Sequence, residues 1–219
     1  MKTCAFTGHR PQHLPFGMNE NDDRCVKLKE ALKEQIINLI EAEDVTHFIT
    51  GMALGVDLYA AEIVLDLKAR YPNITLESAI PCETQAVKWS MAQRERYYDI
   101  AAQCDKETML QSHYSPDCMD KRNRYMVDHA DFIIAVWDGR PSGTGKTVTY
   151  ARGRNGKSII VIDPVTLAIE RLQNTQKSGV SIKAGGNRES PFASEKSICY
   201  PAIIWMMNRP HRSAWLCTA

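Results

Sequence analysis

"ADFIIAVWDGRPSGTGKT", residues 130–147, decides how this chain folds. Its first half is a continuous apolar run, as in strands buried on both faces of a parallel sheet. Its second half holds Gly-Lys-Thr, the end of a nucleoside-triphosphate loop, which requires glycine, four residues, then Gly-Lys-Ser/Thr. Counting back five places from Gly145 reaches Arg140, and Gly139 lies one step too far. The helix expected after Thr147 carries Gly153 and Gly156 and has room for only about two to three turns. One feature favours a triphosphatase: "SIIVID" resembles a Walker B strand ending in Asp163. That reading leaves two earlier glycine turns without a task, so "SGTGKT" is expected to be a different anion-binding turn.

On either side of this stretch, short β-prone runs alternate with longer amphipathic ones. Strands are read at 3–8, 46–51, 74–80, 107–111, 131–137 and 158–163. Over 22–43, Cys25, Leu28, Leu32, Ile36 and Leu39 recur at helical spacing behind an acidic, Asn-rich start. Further helices are expected over 56–71, 84–103 and 116–130. The alternation predicts an α/β fold, a doubly wound, mainly parallel, Rossmann-like sheet filling a domain over 1–173. From 174 to 219 the chain is polar, Gly/Ser-rich and poorly patterned, and is expected to be a C-terminal extension, linker or docking segment. Its one apolar stretch, "ICYPAIIWMMN" (198–208), could dock as a strand or short helix, with another subunit of a homo-oligomer as one candidate surface. Pro201 weakens either assignment.

Composition narrows the classes further. A hydrophobic fraction of 44% and a charged fraction of 24% suit an ordinary globular core. The net charge of +1 gives no electrostatic argument for nucleic acid or membrane. The seven cysteines include no C-x-x-C pair, which argues against a disulfide framework or a zinc knuckle. The six histidines show no H-E-x-x-H spacing, so no metal site is expected. No apolar run is long enough to span a bilayer, and "MKTCAFTGHR" lacks the apolar segment of a signal peptide. A cytoplasmic location is therefore expected.

In an open parallel sheet, ligands bind beyond the carboxyl ends of the strands. Three strands end in glycine turns: "TGHRP" (7–11), "TGMALGVD" (50–57) and "DGRPSGTGKT" (138–147). Such turns let backbone N–H groups converge on an anion, helped by the dipole of the next helix. Thr7, Gly8, His9 and Arg10 are expected to bind phosphate, Gly8 by allowing close approach and Arg10 through a bidentate fork. His9 either donates to the phosphate or caps local backbone. Gly51, Gly55 and Asp57 form the second turn, with Asp57 expected as a helix cap more than as a ligand. Asp138, Gly139, Gly143, Thr144 and Gly145 would cradle phosphate or ribose. Lys146 adds charge there or points to water.

Other positions carry a functional and a bland reading side by side. Glu83 and Gln85 follow the third strand, where a carboxylate could accept ribose hydroxyls. Trp89 stacks on a base or belongs to the core. Glu62 reads as a solvated helix residue. Arg122, Asn123 and Tyr125 lie on the helix leading into the central strand, with Arg122 the foremost candidate for phosphate binding or catalysis.

Together "TGHRP", "GMALGVD", "IPCETQAVKW", "QRERYYDI", "RNRYMVDHADFIIAVWDG" and "SGTGKTVTYA" resemble the YpsA family of the SLOG superfamily of Rossmann-like proteins, in order over about residues 3–165. The resemblance implies a nucleotide-derived ligand over the glycine turns, such as NAD, ADP-ribose or a nucleoside monophosphate, with no further cofactor required. In the LOG enzymes of that superfamily, a stretch similar to "MDKRNRYMVDHADFIIAVWDGRPSGTGKT" carries phosphoribohydrolase chemistry. Arg122 matches its arginine, Asn123 stands in place of a lysine, and Thr147 in place of a glutamate. A threonine hydroxyl cannot supply the negative charge that stabilises a ribosyl cation. The expected function is binding or sensing of such a ligand. The alternative is a hydrolase of an N-glycosidic or phosphate-linked nucleotide bond, with Arg122, Glu83 and Asp138 as the catalytic candidates. A P-loop NTPase and a DprA-like DNA binder rank lower, the latter because it would need a basic groove.

Overall fold

A computed structural model of the chain describes residues 1–173, and the expected C-terminal extension lies outside the described residues. Seven strands form one sheet: β1 (Lys2–Gly8), β2 (Val45–Thr50), β3 (Thr75–Ile80), β4 (Lys106–Met109), β5 (Phe132–Val136), β6 (Ser158–Ile162) and β7 (Ile169–Gln173). Their order is β4-β3-β2-β1-β5-β6-β7, parallel throughout except for β7, which runs antiparallel to β6. Five helices connect them: α1 (Asp23–Glu43), α2 (Val56–Leu67), α3 (Met91–Ala101), α4 (Cys118–Asp128) and α5 (Gly143–Arg152). The doubly wound, Rossmann-like α/β reading holds.

Both faces of the sheet are covered, which is why its central strands are apolar without alternation. On β5, Phe132, Ile134 and Val136 enter the larger core with Phe6, Phe48 and the buried stripe of α1 (Cys25, Leu28, Leu32, Ile36, Leu39). The intervening Ile133 and Ala135 face the other way, onto Val127 of α4 and Val148 and Ala151 of α5. The α1 stripe starts behind Asp22, whose side chain accepts the Arg24 N–H at 2.9 Å. It stops at Asp44, whose left-handed backbone (φ 56°) suits a short polar side chain.

Where boundaries differ from the sequence reading, local hydrogen bonds account for it. The helix expected over 84–103 begins only at Met91. Ser90 and Gln93 form a capping box there, and 83–89 is spent in successive turns such as Trp89 N–H to Ala86 O, 3.0 Å. The helix expected to reach residue 71 ends at Leu67 and closes in turns, with Tyr71 N–H on Leu67 O at 2.8 Å. α5 starts at Gly143, ahead of the start expected after Thr147, so Gly-Lys-Thr lies inside its first turns. Strand β7 went unread in the sequence.

One buried carboxylate ties the layers together. Glu77 on β3 accepts from His47 Nε2 and Lys106 Nζ (3.0 Å each) and from Thr108 Oγ1 and Tyr125 Oη (2.7 Å each). Burial opposes its charge, but these donors, His47 and Tyr125 foremost, hold its pKa well below the usual carboxylate range. Tyr125 belongs to α4, so this network fixes the helix that carries Arg122 and Asn123.

Candidate functional site

The chain runs from β1 outward to β4 on one side and then returns to place β5 on the other side of β1. That reversal makes β1/β5 the topological switch point, where an open sheet leaves a crevice at its carboxyl edge. A cleft of about 860 Å³ lies there. Its walls are Thr7–Arg10 at the end of β1, the turn around His13, Ala53 and Asp57 beyond β2, Met119, Arg122 and Asn123 of α4, Asp138 after β5, residues 140–144 into the start of α5, and Asp163–Thr166 after β6.

Several hydrogen-bond donors in this cleft are uncommitted. Ser142 caps α5 by accepting the Gly145 N–H at 3.0 Å. That leaves the N–H groups of Gly143 and Thr144, the other first-turn donors, without an intrahelical acceptor. Their dipoles favour an anion. The hydroxyls of Thr7 and Thr144 line the same space and make no side-chain hydrogen bond among the described residues. Arg10 lines it too, is exposed, and forms no ion pair among the described residues. Asn123, half-buried, also leaves its amide free there. A Cβ built at Gly143 would meet nothing within 4 Å, so the protein itself does not require glycine there.

Acidic groups occupy the β5–β6 side. His9, buried at 3% exposure, places Nε2 3.0 Å from Asp138 Oδ1 and so links the ends of β1 and β5. Asp138 Oδ1 also accepts the Arg140 N–H at 3.0 Å. Burial raises the Asp138 pKa, but the Arg140 N–H and His9 outweigh it and hold it below the ordinary 3.8. Asp138 is thus a carboxylate at neutral pH and a poor proton donor. Asp163 Oδ1 accepts the N–H groups of Val165 and Thr166 at 2.8 Å each and shapes its own turn. Among the described residues no three His, Cys, Asp or Glu side chains group closely enough to hold a metal ion.

Arg122 forms the floor between α4 and β2. Only 4% exposed, it donates Nη1 to the Gly51 carbonyl and lies 3.5 Å from Asp57 Oδ2. Asp57 Oδ2 also accepts the Ala53 N–H at 3.3 Å. Burial lowers the Arg122 pKa and raises that of Asp57, each opposed by the other's charge. Arg122 Nε is buried without a partner, so the pair is incompletely satisfied.

Several expected site residues take other roles. Asp57 does not cap α2; Gly55 holds that position with φ 93°, a backbone that favours glycine, and an added Cβ would come 2.7 Å from His9 O. Gly8 lines the cleft, but its missing Cβ makes room for Val56, whose Cγ1 would lie 2.5 Å from it. Gly51 ends β2 outside the cleft lining, its Cβ space filled by Arg122. All three turns therefore border the cleft, the middle one through Ala53 and Asp57, while its glycines Gly51 and Gly55 serve packing. Gln85 donates Nε2 to the carbonyls of Gly51 and Met52 at 3.2 and 2.7 Å, which spends it on the backbone. Glu83 is exposed outside the cleft, and Trp89 packs edge-on against Tyr97, with ring centroids 5.5 Å apart. Glu62 is ion-paired with Arg96 at 2.6 Å.

On the third turn, Gly139 (φ 81°) and Gly145 serve the backbone, an added Cβ on Gly145 meeting Arg140 O at 3.2 Å. Thr147 is buried and donates its hydroxyl to Gly143 O at 3.1 Å. Lys146 is exposed and faces a separate groove with Trp137 and Tyr150. A triphosphate loop needs that lysine and that hydroxyl on the phosphates and the metal, and neither points there. The sequence reading missed the cleft contributions of His13, Arg140, Asp163 and Thr166. Asp163 had a signal, an aspartate at the carboxyl end of an apolar strand.

An open, doubly wound sheet with a donor-lined crevice at its switch point defines a Rossmann-like α/β protein of the nucleotide-related kind. More narrowly, the chain belongs to the YpsA family: the family model described as "YspA SLOG family" matches residues 4–166. The chain is 28% identical over 179 residues to the UPF0398 protein YpsA of Bacillus subtilis (strain 168), covering 78% of this chain and 98% of that protein. It is 37% identical over 139 residues to the SPbeta prophage-derived protein YoqJ of the same strain, covering 58% and 81%. Among solved structures, DNA processing protein A (DprA) from Streptococcus pneumoniae superposes with a TM-score of 0.50 at 15% identity over 74% of this chain. This chain spans half (50%) of that DprA chain, and the likeness is one of fold. No helix among the described residues is long and apolar enough to cross a membrane.

Proposed function

We propose that the switch-point cleft binds a nucleotide-derived ligand, of the class of NAD, ADP-ribose or a nucleoside monophosphate, and that the protein acts as a binding or sensing module. The observation that carries this is the convergence of Arg10, the Thr7 and Thr144 hydroxyls and the Gly143 and Thr144 N–H groups on one space. They suit a phosphate, whose oxygens accept from all of them. Asp138 and Asn123 then lie within the same cleft to accept from, or donate to, ribose and base. Membership of the SLOG group supports the ligand class.

Binding is preferred over hydrolysis because none of the carboxyl or hydroxyl groups expected for catalysis is placed to protonate a leaving group. Thr147 turns its hydroxyl into α5, Glu83 lies outside, and Asp138 is held ionised. The test is a thermal-unfolding panel with NAD, ADP-ribose, AMP, ATP and cyclic nucleotides. A ligand at a hundred times its Kd adds about 2.7 kcal/mol. For a chain of this size that raises Tm by roughly 5–10 °C. If none of these ligands at millimolar concentration moves Tm, the proposal fails.

A further inference from the structure

We propose that Arg122 closes the β2 side of the switch-point crevice and so restricts the site to ligands with a single nucleoside. This rests on the nucleotide reading of the cleft and narrows its ligand class to ADP-ribose and nucleoside monophosphates, since NAD carries two nucleosides. In a doubly wound sheet a dinucleotide lies across the switch point, one nucleoside over each half. On the β5 side the space is open from Thr7 and Arg10 past Gly143 to Asp163 and Thr166. On the β2 side the cleft reaches Ala53 and Asp57 and is walled by Arg122, and the strand end itself, at Gly51, is covered.

Three contacts cover that strand end. Arg122 Nη1 takes the carbonyl of Gly51, the residue that follows β2. Gln85 Nε2 takes the same carbonyl and that of Met52 at 3.2 and 2.7 Å. Asp57 holds the guanidinium from the α2 side at 3.5 Å. An added Cβ on Gly51 would overlap Arg122 Nη1 and come 2.7 Å from Asp57 Oδ2. The glycine at this strand end thus admits an arginine where a second nucleoside would need to approach the backbone. Displacing the arginine would leave the buried Asp57 carboxylate without its counter-charge, so a larger ligand is opposed electrostatically as well as sterically. Arg122 here acts as a specificity-determining residue.

The experiment is calorimetric titration of the full chain with matched ligands, AMP against diadenosine diphosphate and GMP against diguanosine diphosphate. The wild-type protein is expected to bind the better monophosphate at least tenfold more tightly than its dinucleotide. In the double variant Arg122→Met/Asp57→Leu, which replaces the pair with apolar side chains, the ratio should fall to within about threefold. Should that variant not unfold cooperatively, Arg122→Lys, which keeps the charge and loses the fork, is expected to narrow the ratio severalfold. A dinucleotide that binds wild type as tightly as its monophosphate overturns the size selection alone. So does an unchanged ratio in a folded variant, as a purely structural role for Arg122 would give. If none of the four ligands binds wild type, the nucleotide reading falls with it.

Discussion

Gly51→Ala is the sharpest probe of how this site is built. At Gly51 the backbone φ is not in the left-handed region, so alanine is conformationally acceptable. By the unfolded-state argument alone, the substitution would stabilise the protein by about 0.4–1 kcal/mol. The structure demands the opposite sign. The new Cβ would overlap Arg122 Nη1 and lie 2.7 Å from Asp57 Oδ2, so the guanidinium must leave the Gly51 carbonyl and the carboxylate. Stranding one member of a buried ion pair costs about 3–5 kcal/mol. We expect a loss of about 3 kcal/mol, or roughly 6–12 °C in Tm for a chain of this length. Urea unfolding should show a lower midpoint with an unchanged m-value. In an Arg122→Ala background the same methyl should cost no more than about 1 kcal/mol, a coupling of at least about 2 kcal/mol in the double-mutant cycle. A neutral or stabilising Gly51→Ala, or two strictly additive changes, would refute the packing argument.

Gly143→Val should leave stability within about 0.5 kcal/mol of wild type, because its Cβ faces open space. It should weaken ligand binding at least tenfold, about 1.4 kcal/mol by titration, and unchanged affinity would remove the α5 terminus from the site. Lys146→Ala should change affinity by less than about threefold, roughly 0.65 kcal/mol, since Lys146 faces another groove. A magnesium-dependent ATPase activity abolished by that change would restore the triphosphate-loop reading. Glu77→Gln should cost about 1–3 kcal/mol at pH 7, because a buried charged acceptor with four donors is lost. The folded Glu77 pKa lies below its ordinary 4.5, so its contribution is complete above that pH and disappears as pH falls toward the folded value. Stability measured from pH 6 down to 3 should therefore fall more steeply for wild type than for Glu77→Gln, and parallel curves would contradict the assignment.

The parts of the fold legible in the sequence were those with short-range signals. β5 declared itself because a strand buried on both faces has no polar positions, and α1 because Cys25 to Leu39 keep helical spacing. β7 did not, since an edge strand alternates and Glu170 and Arg171 break its apolar run. The start of α3 was hidden because residues 84–89 carry helix-compatible side chains while their backbone closes turns. At the site, the glycine turns marked the right edge of the sheet. What each glycine accommodates was beyond sequence: Gly8 admits Val56 and Gly51 admits Arg122, partners 48 and 71 residues away along the chain. The separation of Glu83 and Gln85 from the cleft likewise follows from strand order, which no local pattern encodes.

The central claim is that a nucleotide phosphate sits over the α5 terminus at the β1/β5 switch point. Backbone amide NMR during a titration with AMP, ADP-ribose and NAD tests it most directly. Saturable shifts are expected to concentrate at Gly143 and Thr144, with smaller ones at Gly8, His9, Arg10 and Asp138. Saturable shifts centred instead on Lys146 to Tyr150, or no saturable shift with any of the three ligands, would contradict it.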